Sequence, residues 1–214
     1  MTDIPRPEYP RPQFVRDKWL NLNGTWSCEF DFSRSGQARK RYLAKGFDKK
    51  ILVPFCPESA LSGIGYTDFI EQMYYHRKIT VPASWRGRKI LMHFGGVDYE
   101  CRGYLDGECV GFHAGGSTSF HFDLTDRATP GKEQDFVLFV RDVIRDQVQP
   151  RGKQCPRALS SGCCYTRTTG IWQTVWLEPV DEFGLERCRI VPDLDNGCFG
   201  LEPEFFYAVF EFLD

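Results

Sequence analysis

Short runs in which apolar and polar residues alternate dominate the chain, and they predict strands. In residues 25–32, Trp26, Cys28 and Phe30 alternate with polar side chains, which is the two-residue period of a half-buried strand. No long segment repeats its apolar positions at a helical period between capping residues. The pattern therefore predicts an all-β protein. Further runs of this kind occupy 51–53, 73–82, 89–94, 120–124, 135–142 and 171–178.

Turn-forming residues separate these runs at intervals typical of a β-sandwich. Asn23-Gly24 precedes the first long strand, and Pro54 is expected to stop the short strand before it. Asp106-Gly107 joins the two halves of a hairpin at 102–112, because an Asp-Gly pair favours the type I′ turn. Residues 135–142 are apolar enough for a central strand. Many short strands at this spacing predict two sheets packed face to face.

Two long polar segments, 54–72 and 144–170, interrupt the strand pattern. Long loops in compact domains are usually functional or disordered. The second loop leads through an aromatic and a guanidinium side chain directly into the strand at 171–178. A rigid strand that presents such a loop is one way to contact a sugar. It is also an ordinary loop–strand junction, and the pattern alone leaves both interpretations open.

Composition and charge narrow the classes of function. The chain has 214 residues, 42% of them hydrophobic, with a formal net charge of −2 and a pI near 6.1. These are the values of a globular domain, without the basic surface of a nucleic-acid binder. Neither an apolar run long enough for a membrane span nor a signal peptide is evident. Nine cysteines without CxxC spacing predict reduced thiols in a cytoplasmic protein.

Motifs that carry chemistry are sparse. The glycines at 63–65 and 95–96 have no helix behind them, so a phosphate-binding loop is not expected. A GxSxG nucleophile elbow is lacking, and no acidic residue stands at an apolar strand end with an obvious partner, although any two carboxylates could meet in the fold. We therefore predict no catalytic residue, no metal and no cofactor. One group of Cys and His residues could be considered as metal ligands, but its members are not spaced as in a zinc site: Cys101, Cys109, His113 and His121.

Six segments occur in an order that carries more information than any one of them. They are LNLNGTW at 20–26, ILVP at 51–54 with YYHRKITVP at 74–82, GGVD at 95–98, YLDG at 104–107, VGFHAGGSTSFHFDLT at 110–125 and GIWQTVWLE at 170–178. Together they resemble the N-terminal sugar-binding domain of glycoside hydrolase family 2, the family of β-galactosidases and β-glucuronidases. The resemblance covers about residues 13–180.

The resemblance implies a jelly-roll β-sandwich of the galactose-binding-domain type for residues 1–182. Residues 183–214 then resemble the first strands of an immunoglobulin-like sandwich, cut short. In whole members of the family, a TIM barrel follows and carries the two catalytic glutamates of a retaining glycosidase. The resemblance thus implies a non-catalytic domain that is inactive alone. Its implied partners are a β-glycoside and the downstream domains, with no nucleic acid and no membrane.

The same resemblance points to candidate substrate contacts in the two long loops. Family members typically place an Asp six residues before the glycine that corresponds to Gly170, and that position here is Cys164. A thiol cannot accept two sugar hydroxyls as a carboxylate does. Tyr165 and Arg167 therefore become the leading candidates, although packing of Arg167 against the barrel or a neighbouring loop is an equal alternative. The other candidates are Asp68 and Glu71 in the 54–72 loop.

Two functions remain open at this point. The leading one is an accessory domain that helps to shape the active-site mouth of a β-glycosidase. The alternative is an independent carbohydrate-binding or structural sandwich, and sugar binding by this chain alone would separate the two. Trp85, which lies in a turn, is expected to be exposed. The remaining tryptophans are expected in the core rather than on a sugar platform: Trp19, Trp26, Trp172 and Trp176.

Overall fold

The structure is a computed structural model that describes residues 4–206. A six-stranded antiparallel sheet (β3-β2-β4-β10-β7-β8) lies against a four-stranded one (β1-β12-β5-β9), so the predicted β-sandwich is confirmed. The strands are β1 Leu20–Asn21, β2 Gly24–Phe30, β3 Lys49–Val53, β4 Gln72–Thr80, β5 Lys89–Phe94, β6 Val97–Asp98, β7 Glu100–Leu105, β8 Glu108–Ala114, β9 Phe120–Asp123, β10 Glu133–Arg141, β11 Gly170–Ile171, β12 Val175–Val180, β13 Leu185–Asp193 and β14 Cys198–Phe205. Single 3₁₀ turns occupy Pro12–Phe14, Arg41–Leu43, Ala60–Ser62 and Ala83–Trp85.

Side chains from both sheets meet in one buried core. Trp26 of β2 meets the rings of Tyr75 and Phe136 edge-on within the larger sheet. Phe94 of β5 reaches across from the smaller sheet to Phe136, with 6.2 Å between ring centroids. The strand at 135–142 is central as predicted, because β10 pairs with β4 on one side and with β7 on the other.

A second apolar cluster covers the outer face of the larger sheet. Tyr74 and Val137 point away from the main core and pack with Phe47. Tyr42 stacks on Tyr104 with 4.9 Å between ring centroids. Both Tyr42 and Phe47 belong to the segment 31–48, which connects β2 to β3. Because this sheet carries aromatic side chains on both faces, the loop folds back over it and buries them.

The strand predicted at 171–178 is two strands. Gly170–Ile171 pairs with β6, whereas Val175–Val180 pairs with β1 and β5. Residues 172–174 cross between these pairings, so the ring of Trp172 is only half-buried, whereas Trp176 is fully buried. Gly170 has a φ of +74°, and an added Cβ would lie 2.2 Å from the Tyr75 hydroxyl. Only glycine fits there.

The structure decides two further local predictions, the turn at Asp106-Gly107 and the exposure of Trp85. The Asp106-Gly107 turn is confirmed, with φ values of 49° and 86°. The expectation that Trp85 is exposed is wrong, because the 3₁₀ turn folds its ring into the main core, where it is 6% exposed. The strands β13 and β14 pair with each other in a separate two-stranded sheet. Of the segment 183–214, the residues after 206 lie outside the described residues.

The domain boundary proposed at 182/183 stays a prediction. All nine cysteines are free thiols. Within residues 4–206, no helix is long and apolar enough to cross a membrane.

Candidate functional site

The segment that connects β10 to β11, here called the 142–169 loop, has a closed neck and an exposed tip. The Tyr165 amide donates to the Lys153 carbonyl, and the Cys155 amide donates to the Tyr165 carbonyl, both at 2.8 Å. The Gln154 side chain accepts from the Thr168 amide at 2.8 Å. Nearly all of residues 156–164 beyond this neck are exposed. We call residues 156–164 the lobe.

Arg167 holds the lobe from inside the neck. Its side chain is 3% exposed, and both terminal nitrogens are committed to carbonyl oxygens of the chain. Five N–H groups in a fixed planar fork suit this task better than a lysine would. Substrate contact by this side chain stays a prediction, but the geometry is that of the packing alternative. Nη1 donates to Cys155 (3.1 Å) and Arg157 (2.6 Å), and Nη2 donates to Thr67 and Ala158 (3.5 Å).

The same guanidinium ties the two long loops together. The ring of Phe69, from the 54–72 loop, is contacted by the guanidinium groups of Arg167 and Arg145, whose carbons lie 4.2 and 3.6 Å from the ring centroid. Such cation–π contacts are worth about 0.5–2 kcal/mol each. The two loops predicted to be functional are thus one packed unit.

The remaining predicted contacts lie around this unit. Tyr165 is 65% exposed at the end of the lobe, and Cys164 beside it is half-buried. Asp68 is exposed, with Oδ1 accepting from the Phe69 amide, and Glu71 is paired with Arg34. Of these side chains, those of Tyr165 and Asp68 are exposed and open to a ligand. Their roles in binding stay predictions.

A cleft of about 470 Å³ lies beside the neck. Trp172 forms one wall and donates from Nε1 to the Gly116 carbonyl at 2.7 Å. Asp98 lies at the floor, 6% exposed, and its Oδ2 accepts from Gln154 Nε2 at 2.6 Å. Gly116 is required, because an added Cβ would lie 2.5 Å from Asp98 Oδ1. At the rim, Arg151 and Lys153 have exposed side chains.

The sequence prediction missed Asp98 as a site residue. The GGVD segment had been identified, but Asp98 ends the short apolar strand β6 and was assigned no partner. That partner, Gln154, is 56 residues further along the chain. An acidic residue at the end of an apolar strand was the one available signal, and it becomes specific only when the partner is known.

Two more carboxyl groups are buried beneath the loop. Asp142 accepts from Gln149 Nε2 at 2.7 Å and from Thr169 Oγ1 at 3.2 Å. Glu58 accepts from the Thr169 amide at 3.2 Å. Asp142 is 2% exposed and Glu58 is 7% exposed. The 142–169 loop therefore rests on three buried acids.

Burial sets the protonation of these acids. Desolvation, together with the nearby charge of Asp142, raises the pKa of Asp98 to about 7, against the lowering effect of the Gln154 hydrogen bond. Desolvation likewise raises the pKa of Asp142 and the pKa of Glu58 above their ordinary values. At neutral pH, the cleft thus combines an acid near its titration midpoint with an indole, an amide and two cationic side chains. Such a set suits a polar, hydroxyl-rich ligand.

Other constellations carry less chemistry. Ser27 Oγ lies 3.2 Å from His76 Nδ1, and His76 Nε2 lies 2.8 Å from Asp135 Oδ1, which resembles a hydrolytic triad. However, Ser27 is 5% exposed, and its oxygen accepts from the Phe47 amide at 3.1 Å. A substrate has no access to it, so the arrangement links neighbouring strands. Within residues 4–206, no three His, Cys, Asp or Glu side chains are grouped to hold a metal ion.

Comparison with known proteins gives relatives that are considerably longer than this chain. No model of a protein family matches it. A β-glucuronidase of Paenibacillus borealis is 26% identical over 146 residues, which are 68% of this chain and 24% of that protein. A β-galactosidase of Thermoanaerobacter pseudethanolicus is 27% identical over 121 residues, which are 56% of this chain and 15% of that protein. The chain thus spans a quarter or less of these curated relatives.

Solved structures share the fold. The β-glucuronidase of Ruminococcus gnavus superposes with a TM-score of 0.72 and 18% identity, over 94% of this chain and 35% of that one. The same enzyme in complex with a C6-substituted uronic isofagomine gives a TM-score of 0.73 over 94% of this chain and 36% of that one, again with 18% identity. At this level of identity, the likeness establishes the β-sandwich architecture.

Proposed function

Because the chain resembles the N-terminal domain of family 2 glycosidases in both sequence order and fold, we propose that it is a non-catalytic accessory domain of a β-glycosidase. In this role the lobe and Tyr165 contribute to the mouth of a substrate pocket whose catalytic glutamates lie in a TIM-barrel domain. Residues 183–214 would begin the immunoglobulin-like domain that connects the two.

The observation that carries the proposal is the construction of the lobe. An exposed nine-residue tip would ordinarily be mobile, but here Arg167, Gln154 and the buried acids fix its neck to the sandwich. A site built on a rigid support holds its substrate more accurately than a free loop. The free face of the lobe is then available to a neighbouring domain.

Replacement of the lobe tests this role. If the gene continues after Asp214 into a barrel, the longer protein is assayed with nitrophenyl β-glucuronide and β-galactoside. Replacing residues 156–164 by two glycines should lower kcat/KM by on the order of 100-fold, since small misplacements of a substrate have effects of that size. A matched control replaces the exposed turn at 194–197 and should leave kcat/KM unchanged. An unchanged kcat/KM in the lobe variant would contradict the accessory role.

The cleft beside the neck supports a second candidate, an independent carbohydrate-binding module. Three of its lining side chains, Asp98, Gln154 and Trp172, come from separate segments of this chain and meet in the one cleft. Titration of the chain alone with glucuronic acid and with galactose, with NMR chemical shifts recorded at each step, distinguishes the two functions. Binding at about millimolar strength or tighter, with shifts at Trp172, would favour the module. No shifts at ten times that concentration would favour the accessory domain.

A further inference from the structure

The three buried acids beneath the 142–169 loop share a feature beyond their burial. Each accepts a hydrogen bond from the loop: Asp98 from Gln154, Asp142 from Gln149 and Glu58 from Thr169. Asp98 ends β6, Glu58 lies in the 54–72 loop, and Asp142 directly follows β10 as the first residue of the 142–169 loop. The contacts at Asp98 and Glu58 therefore attach the loop to other segments of the chain, in addition to the contact of Arg167 with Thr67, whereas the contact at Asp142 braces the base of the loop.

Two of these acids are incompletely satisfied. Oδ1 of Asp98 and Oε1 of Glu58 are buried, with no hydrogen-bond donor among the described residues. A buried carboxylate with an oxygen lacking a donor is far less stable than a neutral carboxyl in the same place. The geometry therefore favours the protonated form of the set while the loop is closed.

We propose that Glu58, Asp98 and Asp142 are positioning residues that act as a proton-dependent latch, holding the 142–169 loop against the sandwich when neutral and releasing it as they ionise. That the loop serves a sugar pocket rests on the proposed function, whereas the latch itself rests only on contacts within this chain. Its consequence for the pocket would be that lobe placement depends on pH.

The charges around the set act mostly in the same direction. Asp98 faces Asp142 and Glu58, so ionisation of either of these two groups opposes ionisation of Asp98. Arg167 favours the ionised form of Asp142, and the nearby charge of Glu71 opposes it. Around Glu58, hydrogen bonds from Thr169 and Cys56 partly offset the effect of burial. Because these carboxyl groups interact, each step of proton dissociation belongs to the set of three and not to one residue.

The sign of the effect follows from linkage. A group whose pKa is raised in the closed state favours closure below its ordinary pKa and loses that contribution as the pH rises to the raised value. For Asp98 the window runs from about 4 to about 7. A shift of about three units lets the loop-opening constant rise by up to about 1000-fold across this window, because each unit corresponds to tenfold.

Hydrogen–deuterium exchange of the chain at pH 5, 6, 7 and 8 tests the latch without any sugar. After correction for chemical exchange, amides in 142–169 should open on the order of 100-fold more at pH 7 than at pH 5, with little further change at pH 8. Peptides from β4 and β10 provide the internal reference. Opening of the loop that is independent of pH would overturn the proposal, whatever the outcome of the sugar experiments.

Asp98→Asn removes the titrating group with little change in shape. It should reduce the pH-dependent increase in loop opening at least tenfold, whereas Asp126→Asn, at an exposed acid outside the loop, should retain the wild-type profile. Equal profiles for Asp98→Asn and wild type would contradict the latch. If Asp98→Asn fails to fold, carboxyl ¹³C NMR of the wild-type chain decides, and an Asp98 pKa at or below 4 would overturn the proposal.

Discussion

Replacement of Glu178 by glutamine should destabilise the sandwich strongly and in a pH-dependent manner. Glu178 lies on β12 and is 0% exposed. Its Oε1 accepts from the Tyr9 hydroxyl and from Trp176 Nε1, the latter at 2.8 Å. Its Oε2 lies 3.1 Å from Arg16 Nε and 3.2 Å from His93 Nε2, at ion-pair distance but outside hydrogen-bond geometry. This carboxylate joins Tyr9 and Arg16, which precede β1, to the smaller sheet.

The magnitude follows from two independent arguments. Burial alone would raise the pKa of Glu178, but contact with His93 and hydrogen bonds from Tyr9 and Trp176 outweigh it and lower the pKa to about 2. At about 1.4 kcal/mol for each pKa unit, this corresponds to roughly 3 kcal/mol. Removing one partner of a buried ion pair typically costs about 3–5 kcal/mol. We therefore expect Glu178→Gln to lose about 3 kcal/mol at pH 7, or about 6–12 °C in Tm for a chain of this size.

The pH dependence distinguishes a charge effect from a packing effect. Because the pKa is lowered in the folded state, the contribution of Glu178 is complete above the unfolded value of about 4.3 and is lost as the pH falls towards 2. Urea unfolding between pH 7 and pH 3 should show the deficit of Glu178→Gln shrinking as the pH falls. Glu182→Gln, at an exposed position, is the matched control. A deficit below about 0.5 kcal/mol at pH 7, or one that does not change with pH, would refute the reasoning.

Two further predictions concern the neck of the loop and the strand that follows it. Gly170→Ala should lower the free energy of unfolding in urea by about 3 kcal/mol, because φ at this residue is +74° and the added Cβ would clash with the Tyr75 hydroxyl. The control is Gly152→Ala, with φ +55° and open space around it, which should cost about 1 kcal/mol. Equal costs for the two variants would contradict the argument. Arg167→Lys should make the 142–169 loop at least tenfold more sensitive to chymotrypsin at pH 8, because a lysine cannot donate to all four carbonyl oxygens. Arg157→Lys, at an exposed side chain, is the control. Wild-type resistance in Arg167→Lys would show that the guanidinium contacts do not hold the loop.

Local pattern determined most of the secondary structure of this chain. Strands such as β4 and β10 could be predicted because the pleat imposes a two-residue period on any half-buried strand. The turn at Asp106-Gly107 could be predicted because few residue pairs adopt left-handed backbone angles. The order of six short motifs indicated the family resemblance, which the comparisons confirm. These features depend on neighbours in sequence, so the sequence alone was sufficient.

Tertiary structure decided the candidate site. The sequence left Arg167 equally suited to binding or packing, and only the fold brings the Thr67 carbonyl, 100 residues away, to its guanidinium. It likewise places Gln154 on Asp98 and turns a carboxyl without an obvious partner into the floor of a cleft. Burial and pKa depend on which distant segments surround a group, and strand periodicity carries no information about that. The elements of this protein were therefore determined locally, whereas the site and its charge were determined by packing between the two long loops and the sandwich.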